Sequence, residues 1–244
     1  SSIQDSPVNM AKYASEIPCA GIVNLGDNTD GDTEQSETIK RNEYLLQLFQ
    51  GVGLPYYPCI GNHDDNRYKS LFSLQQLMQI YLPSTLPEEV CGDYSMLGTN
   101  YYKDFSEYQV RCIWLNANEN GNYGYSDGTV DWLENEALQM PDGFFACIFT
   151  HIDPIASHNY GGLRCKNGEK IQDIINKYKN ETGNGVAVFG GHNHVDAAFT
   201  EPYLSIITNC QKFENKNGDP ANWPTGAVKP QRVQGDYTED CWDV

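Results

Sequence analysis

Long apolar runs are absent from this 244-residue sequence. No run approaches the roughly 18 to 20 residues that a membrane-spanning helix needs, so the sequence predicts no membrane span. The first residues, 1–5, have neither a basic start nor an apolar core, and they do not resemble a signal peptide. Cys-x-x-Cys pairs are also absent, which argues against a zinc ribbon or a thioredoxin-type site.

Positive charge is scarce. The chain has 16 Lys and Arg residues against 33 Asp and Glu residues, which gives a formal net charge of −17. A protein this acidic repels the phosphates of nucleic acids and of anionic membranes, so we expect no non-specific nucleic-acid binding. Bound cations would offset part of this charge, although solubility alone is the simpler explanation for it.

The eight cysteines are an even number, which is compatible with disulfides. Five of them nevertheless lie in or beside predicted core strands, where a free cysteine acts as a small hydrophobic residue. These five are Cys19, Cys59, Cys112, Cys147 and Cys210. The sequence therefore predicts mostly reduced thiols and a reducing environment.

Short apolar runs bounded by turn residues recur along the chain, as is typical of strands buried on both faces. They cover residues 20–25, 56–60, 110–115, 144–149, 186–189 and 203–208. The spacing of apolar residues predicts helices over 36–49, 71–82, 129–138 and 170–178, and a hairpin of 101–105 with 108–115. Alternating strands and helices predict an α/β fold in one domain, residues 1–244, with a long loop at 211–236.

Histidine is rare, with five residues, and four of them follow predicted strands. They lie in Gly61-Asn62-His63-Asp64, Thr150-His151 and Gly191-His192-Asn193-His194, and Gly26-Asp27 follows the first strand in the same way. Ligands of open α/β sheets gather at the carboxyl ends of strands. Imidazole and carboxylate groups are ligands of borderline divalent metals, and one carboxylate can bridge two cations about 3.5–4 Å apart. The sequence therefore predicts a dinuclear metal site bridged by Asp27.

These four segments, in this order, resemble the calcineurin-like metallophosphoesterase superfamily over residues 18–208. The resemblance implies a four-layer α/β/β/α sandwich with its metal site at the carboxyl ends of the strands. The sequence from Gly61 to Arg67 also resembles members encoded in bacterial and prophage genomes. Together with the absence of a signal peptide, this favours a cytoplasmic or virion-associated protein.

The resemblance implies hydrolysis of a phosphate ester, either a monoester or a diester, by two divalent metal ions. Mixed nitrogen and oxygen ligands accept Mn, Fe, Zn, Co or Ni, so the identity of the metals stays open. The metal ligands that the resemblance implies are Asp27 as the bridge, Asn62, His151 and His192 on the second metal, and His194 on the first.

Two further residues receive catalytic roles from the resemblance. His63 binds no metal and faces the leaving group, as a general acid or as a donor that stabilises charge on the phosphoryl oxygens. Asp64 is expected to hold the His63 imidazole in the correct tautomer and orientation.

The family's first motif, an Asp-x-His at the end of its first strand, is not found in this chain. That motif supplies two ligands to the first metal, and no histidine precedes His63 here. Either the chain lacks its first strand, with residues 1–17 forming the helix that follows it, or the first metal site is degenerate. A third possibility is that Asp5 replaces the missing ligand.

Three functions remain open from the sequence. The first is a metal-dependent phosphoesterase, and the second is a catalytically impaired domain that serves as a structural or binding module in a phage or cell-surface assembly. The third is a metallohydrolase of another bond, which is disfavoured because the His-Glu-x-x-His pattern of zinc peptidases is missing. The substrate and the oligomeric state are not readable from the sequence.

Several other polar and aromatic residues have two interpretations each. His158 is expected to be a solvated loop histidine rather than a substrate contact. Arg67 is expected to form a surface ion pair rather than a phosphate clamp. Asp30 is expected to cap the following segment. Tyr123 and Tyr125 either line a substrate cleft or pack a loop.

Overall fold

The computed structural model describes residues 5–81, 91–92, 99–119, 122–209 and 220–227. Its α-helices are α1 (Asp5–Glu16), α2 (Gln35–Gln50), α3 (Leu74–Tyr81), α4 (Asp127–Trp132) and α5 (Gly168–Thr182). Its longer strands are β4 (Tyr101–Phe105), β5 (Val110–Leu115), β8 (Phe145–Thr150), β9 (Val186–Gly190) and β11 (Leu204–Ile207). The short strands are β1 (Ile22–Asn24), β2 (Tyr56–Pro58), β3 (Cys91–Gly92), β6 (Asn118–Glu119), β7 (Asn122–Tyr123) and β10 (Ala197–Phe199).

The helices and strands predicted from apolar spacing are present, with shifted ends. The helix predicted over 71–82 begins later, at Leu74. Its expected last residue, 82, lies outside the described residues. The helix that begins as α4 continues as a π-helical turn, Leu133–Ala137. Strand β10 was not predicted because a three-residue strand carries too little periodicity. Only residues 220–227 of the predicted long loop are described.

Two sheets form the centre of the fold. Seven strands run in the order β10-β11-β9-β8-β5-β4-β3, and strands β5, β8, β9 and β11 are parallel to one another. The predicted hairpin is the antiparallel pair β4 and β5. Strands β1 and β2 form a separate two-stranded parallel sheet, and β6 and β7 form a short antiparallel ribbon. Parallel strands place their carboxyl ends at the same edge, which is where ligands bind in such sheets.

The four predicted layers are present. On one side, Ala11 of α1 and Phe49 of α2 pack against Ile22 of β1. Between the two sheets, the Trp114 ring stacks at 4.9 Å on Tyr57 and at 4.7 Å on Tyr101. Beyond the large sheet, α4 and α5 close an apolar core of fully buried residues that includes Ile113, Leu133, Ile148, Ile171 and Ile175. Burial of each such side chain contributes about 1.5–3 kcal/mol, which ties the layers together.

Among the described residues, the inner face of the large sheet is covered only in part, because a two-stranded sheet lies opposite seven strands. Phe145 of β8 and Leu204 of β11 are 37% and 38% exposed, and Phe149 and Phe189 are half-buried. No helix within the described ranges is both long and apolar enough to cross a membrane.

The predicted free thiols are found wherever cysteine side chains are described. Cys19, Cys59, Cys112, Cys147 and Cys165 are free thiols. Cys59 is buried, and the others are half-buried. The side chains of Cys91, Cys210 and Cys241 lie outside the described residues.

Candidate metal centre

The tips of four strands meet at one end of the two sheets. Asp27 follows β1, Asn62 follows β2, His151 follows β8 and His192 follows β9. The turn after β2 approaches Asp27 so closely that a Cβ at Gly61 would collide with the Asp27 carboxylate. A glycine at position 61 is therefore required for the two turns to pack against each other.

The donor atoms of these residues converge on the His151 ring. Its Nε2 lies 3.1 Å from Asp27 Oδ2, 3.1 Å from Asn62 Oδ1 and 3.2 Å from His192 Nδ1. The ligand atoms of Asp27, His151 and His192 all lie within 4.8 Å of one another. Two imidazole nitrogens and one carboxylate oxygen at this separation are suited to a single cation between them.

A backbone carbonyl fixes the tautomer of His151. The ring Nδ1 lies 2.7 Å from the carbonyl oxygen of Leu25, which accepts hydrogen bonds but cannot donate them. Nδ1 therefore carries the proton, and the lone pair of the neutral ring sits on Nε2, facing Asp27 and His192. Metal-binding histidines in proteins are usually oriented in this way by a carbonyl or carboxylate on the second nitrogen.

Burial and neighbouring charges keep Asp27 and His192 in the forms that bind metal. Burial, with a smaller contribution from the charge of His151, lowers the pKa of His192 to about 3, so its ring is neutral at pH 7. Burial alone would raise the pKa of Asp27, but His151 and His63 beside it hold that pKa below its ordinary value. The site thus presents an ionised carboxylate beside a neutral imidazole.

His194, the expected ligand of the first metal, lies near this group without joining it. The residue is half-buried and has a φ of 54°, and its charge contributes to the lowered pKa of His192. Within the described ranges, Asp27, His151 and His192 are the only group of three such donors this close together. Ligation by His194 therefore stays a prediction.

His63 faces the open side of the site. Its Nε2 lies 3.9 Å from Asp27 Oδ2 and its side chain is 34% exposed, whereas the His151 side chain is 3% exposed. Its Nδ1 lies 2.9 Å from the carbonyl oxygen of Asp30. Asp30 therefore orients this ring through its backbone, and the N-cap position of α2 belongs to Glu34 rather than to Asp30 as expected.

The expected orienting role of Asp64 is wrong. Its Oδ2 accepts hydrogen bonds of 2.8 Å from the backbone N–H groups of Asp27 and Gly61. Its Oδ1 accepts from the Asn28 N–H at 2.9 Å and from the Tyr81 hydroxyl at 2.8 Å. The carboxylate lies fully buried beneath the turns, because the tight turn that exposes the His63 side chain directs its neighbour inward. Asp64 therefore joins the two metal-site turns to each other.

Replacing Asp64 by asparagine is expected to destabilise the protein by about 3 kcal/mol. The amide NH2 would face backbone N–H groups, and each buried donor left unsatisfied costs about 1–3 kcal/mol. Burial and the charge of Asp27 raise the pKa of Asp64 to about 6, so the carboxylate is ionised at pH 7 and accepts all four bonds. Urea denaturation at pH 7 measures the loss, with Asp32→Asn, at an exposed position in the neighbouring loop, as control. A loss below about 0.5 kcal/mol would contradict this role.

Arg67 forms the expected ion pair, but not at the surface. Its Nη2 lies 3.0 Å from Asp65 Oδ2, with side-chain exposures of 14% and 2%, and the same nitrogen donates to Asn118 Oδ1. Its guanidinium lies 5.2 Å from the centre of the Tyr123 ring. The Asp65 carboxylate neutralises this arginine, so it is not available as a free phosphate clamp.

Two other expectations for this region are settled by burial. His158, expected to be solvated, is only 3% exposed and stacks on Phe199 with ring centres 3.7 Å apart. Its loop is covered by β10, a short strand that apolar spacing did not predict.

Tyr125 is fully buried and its hydroxyl donates to the Ile152 carbonyl at 2.7 Å, so it packs a loop. Tyr123 instead borders the metal centre, with its ring edge-on to His192 at 5.9 Å.

Comparisons with known proteins agree with this architecture. A family model described as calcineurin-like phosphoesterase matches residues 9–196. A solved structure of a dimetal phosphatase from Danio rerio is similar with a TM-score of 0.66 at 17% identity, over 84% of this chain and 77% of that one. GAP50, titled the anchor in the inner membrane complex of Plasmodium, has a TM-score of 0.51 at 14% identity, over 83% of this chain and 65% of that one. At these identities the structural likeness shows the fold alone. No curated protein sequence matches the chain.

Proposed function

Because this chain belongs to the calcineurin-like phosphoesterase family, we propose that it hydrolyses a phosphate ester with the help of two divalent metal ions. The observation that carries the proposal is the convergence of Asp27, His151 and His192, whose ligand atoms lie within 4.8 Å of one another. Three strand tips that are far apart in the sequence supply these atoms. Chemically, the set of oxygen and nitrogen donors fits Mn, Fe, Zn, Co or Ni.

The hydrogen bonds around Asp27 determine which of its oxygens faces a cation. Its Oδ1 accepts the His63 N–H at 2.8 Å, which leaves Oδ2 directed toward His151 at 3.1 Å. Oδ2 is therefore the oxygen through which Asp27 would hold a cation. Asn62 Oδ1 would add a neutral oxygen ligand, and His194 is the further ligand that the family resemblance implies.

The remaining catalytic and structural roles fall to His63 and Asp64. Divalent cations bound here would activate a water molecule and neutralise charge on the phosphoryl oxygens. His63, exposed on the open side and held through Nδ1 by the Asp30 carbonyl, is placed to donate a proton from Nε2 to the leaving-group oxygen. Asp64 holds together the turns that carry Asp27 and Asn62.

One observation favours a second candidate, a domain that binds metal without turnover. Only one group of three converging histidine, cysteine or acidic donors is found in the described part of the chain. One metal alone would lack the bridging arrangement of a two-metal phosphoesterase. The stoichiometry of bound metal therefore separates the two candidates.

Loading the protein with Mn²⁺ and desalting it is expected to leave two metals per chain, measured by elemental analysis. Because the cation binds the folded state alone, a concentration of 100 times Kd should stabilise the fold by about 2.7 kcal/mol. For a chain of this size this raises Tm by about 5–11 °C. Turnover of a generic aryl phosphate monoester and diester completes the test. Two metals with turnover support the proposal, one metal without turnover supports the second candidate, and no bound metal refutes both.

A further inference from the structure

Two tyrosines stand beside the metal centre in positions that neither metal binding nor proton transfer explains. The Tyr68 ring lies 5.3 Å from the His63 ring and is tilted by 51°. The Tyr123 ring lies 5.9 Å from the His192 ring, edge-on to it. The Tyr123 ring also lies against the guanidinium of Arg67, the residue that precedes Tyr68 in the chain. The pair therefore extends from the histidine that faces the leaving group to a predicted metal ligand.

The Tyr68 backbone and the Tyr123 ring are held in place by their neighbours. The Tyr68 backbone N–H donates to the Gly31 carbonyl at 3.0 Å, in the loop whose Asp30 carbonyl also orients His63. Tyr123 lies against the Arg67 guanidinium at 5.2 Å, and Arg67 is itself anchored on buried Asp65. Yet Tyr68 remains 59% exposed. An exposed aromatic ring on an anchored backbone, beside a polar site, offers a flat surface to a ligand.

We propose that Tyr68 and Tyr123 form an aromatic wall that selects phosphate esters whose leaving group carries a planar ring. The proposal rests on the phosphoester hydrolysis proposed above and names the class of substrate for that site. A leaving group beside His63 lies next to Tyr68, where a planar ring can stack. Stacking on an aromatic side chain is tolerant of the ring's identity, because every such ring has a π-face.

Beside Tyr68 and Tyr123, charge is a weaker basis than stacking for recognising a substrate. Arg67, the cation beside the wall, is paired with Asp65 at 3.0 Å, and the whole chain carries a net charge of −17. A strongly acidic protein gains little from attracting highly charged anions. An uncharged planar ring attached to the phosphate adds binding energy that does not depend on charge. A nucleoside and a simple aryl alcohol share this chemistry.

The test compares ligands that differ only in the ring. Benzylphosphonate and cyclohexylmethylphosphonate cannot be hydrolysed, and calorimetric titration of the Mn²⁺-loaded protein gives their Kd values. We expect the benzyl compound to bind about tenfold more tightly, as is typical of stacking on an aromatic side chain. Tyr68→Leu should bring this ratio to about 1. Tyr108→Leu is the matched control, since Tyr108 is 67% exposed and lies between β4 and β5, apart from the metal centre.

A second pair of compounds distinguishes a nucleoside from a simple aryl alcohol as the leaving group that carries the ring. Adenosine 5′-monophosphate and ribose 5-phosphate share a primary alcohol as leaving group, and kcat/KM is compared between them. Preference for the benzyl compound together with adenosine monophosphate supports a wall that accepts nucleosides, and preference for the benzyl compound alone supports simple aryl alcohols.

Two results would contradict the proposed aromatic wall. One is equal binding of the two phosphonates, and the other is a preference for the benzyl compound that remains in both Tyr68→Leu and Tyr123→Leu. A benzyl preference without turnover of any ester would support the wall while contradicting the proposed hydrolysis. The two proposals can therefore fail separately.

Discussion

Asp27→Asn is expected to remove both metals from the protein. Asp27 supplies the carboxylate of the three-donor group, and its Oδ2 lies 3.1 Å from His151 Nε2. Asparagine replaces an ionised oxygen by a neutral amide, and loss of a ligand is expected to weaken metal binding by more than the roughly 10–100-fold typical of losing an outer-shell partner. Because Asp27 would bridge both cations, a single substitution should affect both positions.

The choice of asparagine preserves the fold around position 27. Asp27 has a φ of 58°, a left-handed conformation that asparagine adopts more readily than alanine. The Asn side-chain oxygen can still accept the His63 N–H, which donates to Asp27 Oδ1 at 2.8 Å. A loss of metal would then report on ligation and not on a distorted turn.

Elemental analysis after Mn²⁺ loading measures the effect of Asp27→Asn, and circular dichroism verifies that the variant is folded. Asp32→Asn removes an acidic group from an exposed position in the same loop and should keep the wild-type metal content. If Asp27→Asn also retained all of its metal, Asp27 could not be the bridging ligand.

His63→Ala is expected to keep the metals and to lose about 10²–10⁴-fold in kcat, the range for loss of a general acid. His63 donates its backbone N–H to Asp27 Oδ1, and alanine retains this hydrogen bond. The side chain, by contrast, is 34% exposed on the open side, where the leaving group would lie. Binding and turnover should therefore separate in this variant.

The dependence on the leaving group distinguishes proton donation from other roles of His63. Loss of a general acid should slow alkyl phosphates, whose alcohols leave poorly without a proton, far more than p-nitrophenyl phosphate. An equal loss for both esters would favour charge stabilisation of the phosphoryl oxygens. Unchanged turnover of both, with metal content equal to that of the wild type, would remove His63 from the mechanism.

The positions of the candidate ligands could be predicted because of a simple physical rule. Each short apolar run ends where a turn begins, and parallel strands bring those ends to one edge. Asp27, Asn62, His151 and His192 therefore lie together as the sequence indicated. The four layers, by contrast, were predicted from the resemblance of these segments to a known family and not from the strand ends.

Side-chain direction could not be predicted in the same way. His63 and Asp64 are adjacent in sequence, and the family resemblance implied that they contact each other. The tight turn instead sends His63 outward and Asp64 inward, where it accepts four hydrogen bonds. The groups that orient His63 and His151 are the backbone carbonyls of Asp30 and Leu25. Every residue has a backbone carbonyl, so the sequence does not indicate which one orients a given ring.

By itself, the sequence determined the fold class, the strand ends that carry the site and the residue types suited to divalent metals, because periodicity and turn chemistry are local properties. Only the tertiary structure decided that Arg67 donates to Asn118, 51 residues away, that His158 is buried against Phe199, and that Tyr123 lies beside Arg67 and His192. These contacts join segments that are distant in the chain. Their geometry depends on how the layers pack, which no single segment encodes.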